Sequence, residues 1–138
     1  MSAVTSNLYT DALLVVAKPI TVFESTKNVV VMALPKAKEL VSSNTVVVFS
    51  KSYCPYCVTV KKLFTQLGAN FKAIELDQES DGNQLQAALK EWTGQQTVPN
   101  VFIGGNHIGG CDATQALHNQ GKLVPLLTEA GAVGKTSA

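Results

Sequence analysis

Several features that would point to particular functions are missing from the sequence. It contains no arginine, and its 11 basic residues nearly balance its 10 acidic ones, so the formal net charge is only +1. The lysines form no basic run of the kind that binds nucleic acids. The apolar runs are far shorter than the roughly 20 residues that span a bilayer. We therefore expect neither nucleic acid nor a membrane as a partner.

Cysteine is also scarce. Three cysteines in 138 residues are too few and too unevenly spaced for the disulfide framework of a secreted domain. A secretory signal would carry basic residues before its apolar stretch, whereas Asp11 precedes the first apolar run here. We expect a cytoplasmic protein in a reducing compartment. An organelle presequence within residues 1–31 stays open, because residues 2–10 are rich in serine and threonine.

Length and composition indicate one globular domain. A chain of 138 residues with 46% hydrophobic and 15% charged residues can bury a single core. Residues 1–31 show no periodic spacing of apolar residues and contain no glycine, which predicts a poorly ordered N-terminal extension. Residues 131–138 are mostly small, which predicts a flexible C-terminal tail. The folded domain is therefore placed at residues 32–130.

The order of apolar patterns predicts an α/β fold. A short helix from Lys36 to Val41 precedes a buried strand from Val46 to Phe49. A helix with apolar residues at i, i+3, i+4 and i+7 then runs from Cys57 to a stop at Gly68. A second strand, from Phe71 to Leu76, and a further helix follow. Strand, helix and strand in this order imply a parallel crossover.

The second half of the chain adds a hairpin and more helices. Apolar spacing from Leu85 to Trp92 predicts the helix that follows the second strand. Two short strands on either side of Gly104-Gly105 predict a β-hairpin. Asp112, with Gln115 three residues later, resembles a capping box and is interpreted as the N-cap of a helix ending near Gly121. A last short helix follows.

Two cysteines lie where the first strand gives way to a helix. A thiol at a helix N-terminus meets unpaired backbone N–H groups and the positive end of the helix dipole, which stabilise a thiolate. A lowered pKa is therefore expected for Cys54, while Cys57 lies further inside the helix and is shielded. We predict that Cys54 attacks and Cys57 resolves. Lys51 either supports this site with its charge or is an ordinary solvated lysine.

The same cysteine spacing also occurs in half of a zinc site. The second half is missing, because Cys111, His107 and His118 form neither a second pair of this spacing nor an HxxxH pair. We therefore expect no metal. The two histidines are interpreted as surface or loop residues.

Three segments together resemble a known family. They are Lys51-Ser52-Tyr53-Cys54-Pro55-Tyr56-Cys57, Thr97-Val98-Pro99 and Gly109-Gly110-Cys111-Asp112. Their order, and their places on the predicted elements, closely resemble a dithiol glutaredoxin of the plant type, over about Leu34 to Leu127. The resemblance implies a thioredoxin-like fold, with a four-stranded mixed sheet flanked by helices. It also implies glutathione-dependent thiol–disulfide exchange as the activity.

The resemblance further implies a glutathione-binding groove. Pro99 would be a cis proline facing the cysteines, with the Val98 backbone turned towards glutathione. Asp112 would hold the γ-glutamyl ammonium, and Lys51 would lie near the glycyl carboxylate. Many family members carry arginine at the position of Gln96, and a neutral amide would hold a carboxylate less strongly. The implied glutathione-binding residues are Lys51, Tyr56, Gln96, Thr97, Val98, Pro99, Gly110, Cys111 and Asp112.

In the implied mechanism, glutathione is the co-substrate. The Cys54 thiolate attacks the glutathione sulfur of a mixed disulfide, and a second glutathione regenerates the enzyme. In a dithiol route, Cys57 attacks the intermediate, which suits protein disulfides. We expect glutathionylated proteins and disulfides as substrates, and a monomeric enzyme.

Two alternative functions, and the role of Cys111, stay open. An iron–sulfur carrier is disfavoured by Pro55, because cluster-binding members tend to have a smaller residue there. A thioredoxin-like protein disulfide reductase is disfavoured because thioredoxins usually have Gly-Pro between the cysteines. Cys111 is a buried apolar residue, a glutathionylation site or a dimer-forming thiol.

Overall fold

The structure, a computed structural model, describes residues 33–133. These residues form four strands and five helices. In chain order they are α1 (residues 33–42), β1 (Val46–Ser50), α2 (Pro55–Gln66), β2 (Lys72–Glu75), α3 (Gly82–Thr93), β3 (Asn100–Ile103), β4 (Asn106–Gly109), α4 (Cys111–Asn119) and α5 (Leu123–Ala130).

The strands form one mixed sheet in the order β2-β1-β3-β4. β1 and β2 are parallel, as the predicted crossover requires, and β3 is antiparallel to both β1 and β4. The hairpin between β3 and β4 turns at Gly104 and Gly105, whose positive φ angles of 59° and 84° favour glycine. The predicted four-stranded mixed sheet flanked by helices is confirmed.

Helices cover both faces of the sheet, and β1 is buried along its whole length. On one face, Val47 and Phe49 of β1 and Phe102 of β3 pack against residues of α1 and α3. On the other face, Val46 and Val48 pack against residues of α2 and α5. Alternating side chains along one apolar strand therefore serve both cores. Because β1 is held from both sides, the loop after it and the start of α2 have a defined position.

Several element ends differ from the prediction. α1 is already helical at residue 33, so Pro35 lies inside the described helix and not before it. α2 begins at Pro55 and not at Cys57, which suits proline because the first helical N–H needs no intrahelical partner. β2 is shorter than the predicted strand. Apolar spacing locates these elements but does not determine their ends.

The interpretation of Asp112 as a helix N-cap is wrong. α4 starts at Cys111, and Gly110 is the capping residue. The N–H and the hydroxyl of Thr114 both donate to the Gly110 carbonyl, at 3.1 and 2.9 Å, so the first turn closes on Gly110. Asp112 lies within this turn, where the positive end of the helix dipole still favours a carboxylate.

The C-terminal end of the described chain packs onto the domain. Ala132 is buried, and its carbonyl accepts a hydrogen bond of 2.9 Å from the N–H of Asn70. The division into residues 1–31, 32–130 and 131–138 stays a prediction, because residues 1–32 and 134–138 lie outside the described residues. Within residues 33–133, no helix has the length and apolar character to cross a membrane.

Candidate active site

The two-cysteine segment lies at the carboxyl end of β1, where the chain enters α2. The N–H of Cys54 donates to the Lys51 carbonyl at 3.0 Å, which closes the turn after the strand. Cys54 is the N-cap of α2 and has extended backbone angles, and Pro55 is the first helical residue. This local geometry places the Cys54 side chain at the N-terminus of a 12-residue helix.

The environment of Cys54 favours its thiolate. Its Sγ accepts a hydrogen bond of 3.4 Å from the N–H of Cys57 and lies 3.9 Å from the Val98 carbonyl oxygen. Burial by itself would raise the pKa of this thiol. Hydrogen bonds from the side chain and N–H of Cys57 and from the N–H of Tyr56, together with the charge of Lys61, lower the pKa of Cys54 below its ordinary value. Cys54 is therefore the more acidic thiol of the pair.

Cys57 has the opposite character. It is fully buried, and burial raises the pKa of its thiol to about 11. At neutral pH the Cys57 thiol is protonated, and it is a poor nucleophile until a base removes its proton. The assignment of attack to Cys54 and of resolution to Cys57 stays a prediction.

Lys61, which the sequence did not single out, contributes the positive charge acting on Cys54. Its ammonium forms an ion pair of 2.7 Å with Glu75 of β2. The hydroxyl of the buried Ser50 donates to the same carboxylate at 2.7 Å. Lys51, by contrast, is not among the groups that lower the pKa of Cys54. A role for Lys51 towards glutathione stays a prediction.

Asp77 holds the loop between β1 and α2, and it too was missed. Both the N–H and the hydroxyl of Ser52 donate to its carboxylate, the N–H at 3.0 Å. These hydrogen bonds lower the pKa of Asp77. The predicted parallel pairing of β1 with β2 could have indicated this contact, because it brings the segments after the two strands to the same edge of the sheet.

A groove of about 650 Å³ lies beside Cys54, between the Thr97–Pro99 segment and the start of α4. The peptide bond between Val98 and Pro99 is cis, as the resemblance implies. Three further lining residues, Gln95, Gly109 and Ala113, were not predicted. The predicted residues that line this groove are Tyr56, Thr97, Val98, Pro99, Gly110, Cys111 and Asp112.

Lys51 and Gln96 are not among the residues that line this groove. Gln96 borders a separate depression along α3, together with Lys90 and Gln86. The Gln86 amide donates to the Gln96 carbonyl at 2.8 Å, which ties the residue to that helix. A contact of Gln96 or Lys51 with glutathione stays a prediction.

Cys111 is the third thiol near the groove. It is the first residue of α4 and packs into the core that contains Val46 and Val48. Burial is the main cause that raises the pKa of its thiol, and the negative charges of Asp112 and Cys54 raise this pKa further. Within residues 33–133, no three His, Cys, Asp or Glu side chains form a group suited to a metal ion.

A family model described as glutaredoxin matches residues 46–108. Glutaredoxin-C2 from Arabidopsis thaliana is 75% identical over 107 residues, which cover 77% of this chain and 96% of that protein. The chloroplastic Glutaredoxin-C4 from Oryza sativa subsp. japonica is 65% identical over 107 residues, which cover 78% of this chain and 80% of that protein.

Solved structures show the same similarity. The crystal structure of a buckwheat glutaredoxin–glutathione complex superposes with a TM-score of 0.77 at 65% sequence identity, covering 78% of this chain and 97% of that one. The region that the family model matches, residues 46–108, contains both Cys54 and Cys57 and the Thr97–Pro99 side of the groove. The chain therefore belongs to the glutaredoxin family.

Proposed function

We propose that this protein is a glutathione-dependent thiol–disulfide oxidoreductase with Cys54 as its nucleophile. The observation that carries the proposal is the position of the Cys54 thiol. It caps α2, its pKa is lowered, and it lies 3.9 Å from the Val98 carbonyl beside the groove. The buckwheat relative, a complex with glutathione, supports glutathione as the occupant of the groove.

The reaction begins with attack by the Cys54 thiolate on the glutathione sulfur of a mixed disulfide. A bond forms between Cys54 Sγ and that sulfur, the original disulfide bond breaks, and the other thiol leaves as a thiolate that takes up a proton. A second glutathione thiolate then attacks the glutathione bound to Cys54. This step releases oxidised glutathione and restores the Cys54 thiolate. Each mixed disulfide therefore consumes one free glutathione, and the other half of the oxidised glutathione comes from the substrate.

Cys57 belongs to a second, dithiol route. It attacks the mixed disulfide on Cys54, an intramolecular disulfide forms, and the bound thiol leaves. Because the pKa of Cys57 is raised to about 11, its thiolate is scarce at neutral pH. We therefore expect the monothiol route to dominate with glutathione mixed disulfides, and the dithiol route to serve protein disulfides.

The two sides of the groove offer different chemistry to glutathione. The Val98 backbone offers pairing to an extended peptide. On the opposite side, the N-terminus of α4 offers N–H groups to the γ-glutamyl carboxylate, and Asp112 offers its carboxylate to the ammonium. Tyr56 is 65% exposed at the edge of the groove. Lys51 and Gln96 are proposed as outer contacts with the glycyl carboxylate.

The physiological substrates that we propose are glutathionylated proteins and protein disulfides, with deglutathionylation as the main outcome. We propose a monomer, because one chain contains both cysteines and the groove. A cytoplasmic location is our proposal. The chloroplastic rice relative supports organelle targeting by residues 1–31 as the alternative.

An assay with a glutathionylated peptide, coupled to glutathione reductase, tests the proposed function. The Cys57→Ser variant is expected to keep its activity, whereas Cys54→Ser loses it. Loss of activity in both variants would contradict the monothiol route. Activity in Cys54→Ser would remove Cys54 from its proposed role.

A further inference from the structure

Gln95 lies in the connection between α3 and β3, next to the segment that lines the groove. Its side-chain Nε2 donates to two backbone carbonyls, that of Thr97 at 3.0 Å and that of Pro99 at 2.9 Å. The two carbonyls lie on either side of Val98. One amide group therefore holds both ends of the short stretch whose middle carbonyl lies 3.9 Å from Cys54 Sγ.

The backbone of Gln95 is itself anchored to α3. Its N–H donates to the hydroxyl of Thr93 at 3.0 Å, and that hydroxyl donates to the Leu89 carbonyl at 2.8 Å. Leu89 is buried in the core that contains Phe49 and Phe102. The Gln95 amide thus links the Thr97–Pro99 segment to a helix that is fixed by core packing.

The same amide also lies close to the opposite side of the groove. A Cβ built on Gly109 would lie 3.9 Å from Gln95 Oε1, and one built on Gly110 would lie 3.8 Å from Gln95 Nε2. These are ordinary van der Waals separations. The Gln95 side chain therefore fills the space between the Thr97–Pro99 segment and the glycine pair that precedes α4.

We propose that Gln95 is a positioning residue that holds the Thr97–Pro99 segment in the conformation that receives glutathione. The inference rests on the proposed function, because it assigns this segment to glutathione binding. Gln95 acts through the backbone of Thr97 and Pro99 and not on the reacting sulfur atoms. Its loss is expected to weaken substrate binding while leaving the nucleophile unchanged.

Two substitutions separate the hydrogen bonds from the bulk of the side chain. Gln95→Met keeps the length but removes the donor, and Gln95→Glu replaces the donor with a carboxylate that repels both carbonyls. Gln66→Met and Gln66→Glu are the matched controls, because Gln66 is an exposed residue at the far end of α2. Having both variants guards against failure of either one to fold, which circular dichroism and thermal melts check.

The first measurement is steady-state kinetics with a glutathionylated peptide. We expect the KM of both Gln95 variants to rise roughly tenfold, which corresponds to about 1.4 kcal/mol, with a smaller change in kcat. The pH dependence of Cys54 alkylation by iodoacetamide should match that of the wild type, since the groups that lower its pKa lie on α2. A KM within about twofold of the wild type would overturn the proposal, as would a shifted alkylation profile.

The second measurement is hydrogen–deuterium exchange of the protein without glutathione, which does not depend on the proposed activity. The Thr97 and Val98 amides should exchange faster in the Gln95 variants than in the wild type or the Gln66 controls. Unchanged exchange with a raised KM would overturn a positioning role, because Gln95 would then act by direct contact with substrate. If the wild type lacks activity, the proposed function fails, and exchange still tests whether Gln95 holds the segment.

Discussion

Cys54 and Cys57 are three positions apart on one helix, yet their thiols have opposite tendencies. Cys54 is partly exposed at the helix cap, where N–H groups point at its sulfur, and its pKa is lowered. Cys57 lies one turn deeper, in the core, and its pKa is raised to about 11. The local difference in hydration and hydrogen bonding shifts the pKa values of two identical side chains in opposite directions.

The charge of Lys61 is expected to contribute to the acidity of Cys54. In Lys61→Met this positive charge is lost, so the pKa of Cys54 should rise towards its ordinary value. The measurement is the rate of iodoacetamide alkylation of Cys54 as a function of pH, in a Cys57→Ser background. Lys62→Met is the matched control, because Lys62 is exposed on the same helix. An equal effect in both variants would show that the total positive charge of α2 matters, and not the particular position of Lys61.

Burial of the Cys57 thiol should make folding stability depend on pH. Its pKa in the folded protein, about 11, lies above the ordinary value of 9.0. The folded state therefore holds this proton more tightly, and the stabilisation present below pH 9.0 is lost as pH rises towards about 11. Urea unfolding from pH 8 to about 11 should show the wild type losing stability more steeply than Cys57→Ser. If the unfolding free energies of the two proteins fell in parallel with pH, Cys57 would not be a buried, protonated thiol in the folded state.

The start of α3 is fixed by a close approach of two backbone segments. A Cβ on Gly82 would lie 1.8 Å from the carbonyl oxygen of Leu76, so only glycine fits without a shift of the helix. Gly82→Ala should cost about 2–3 kcal/mol in unfolding free energy. Urea denaturation measures this loss. Asn83→Ala, at the next and exposed position of α3, should stay within about 0.5 kcal/mol of the wild type, and a similarly small change in Gly82→Ala would refute the steric argument.

Elements with a strong apolar period could be predicted from the sequence, whereas some of their ends could not. The spacing of Val60, Phe64 and their neighbours identified α2, because a helix buries one face whatever its partners are. The start of α4 was misplaced because Asp112 and Gly110 are both acceptable caps, and the bonds from Thr114 to Gly110 decide between them. Such bonds form only when the chain folds, and spacing does not reveal them.

The site was predictable where it consists of contiguous motifs, and not where it depends on packing. The cysteine pair and the Thr97–Pro99 segment are visible as short sequences. Asp77 reaches Ser52, and Glu75 reaches Lys61, only because β1 and β2 are parallel neighbours. The choice of Gln95 rather than Gln96 as a groove residue depends on the direction of the chain as it leaves α3, which no local pattern specifies.

In the molecule as a whole, β1 positions the cysteine segment beside the groove, and both cores hold β1 in place. The loop after β1 and the start of α2 provide Cys54, and the Thr97–Pro99 segment before β3 and the start of α4 line the groove beside it. We predict that this arrangement directs glutathione to Cys54 and to no other thiol. Three cysteines lie in the described chain, and Cys111 also lines the groove, so the site of adduct formation is a strict test.

The most direct measurement is mass spectrometry of the Cys57→Ser variant after exposure to oxidised glutathione, with peptide mapping of the adduct. We predict one glutathione per chain, located on Cys54, because its pKa is lowered while that of Cys111 is raised. The adduct should disappear when reduced glutathione is added. An adduct on Cys111, or none on Cys54, would contradict the assignment of Cys54 as the nucleophile.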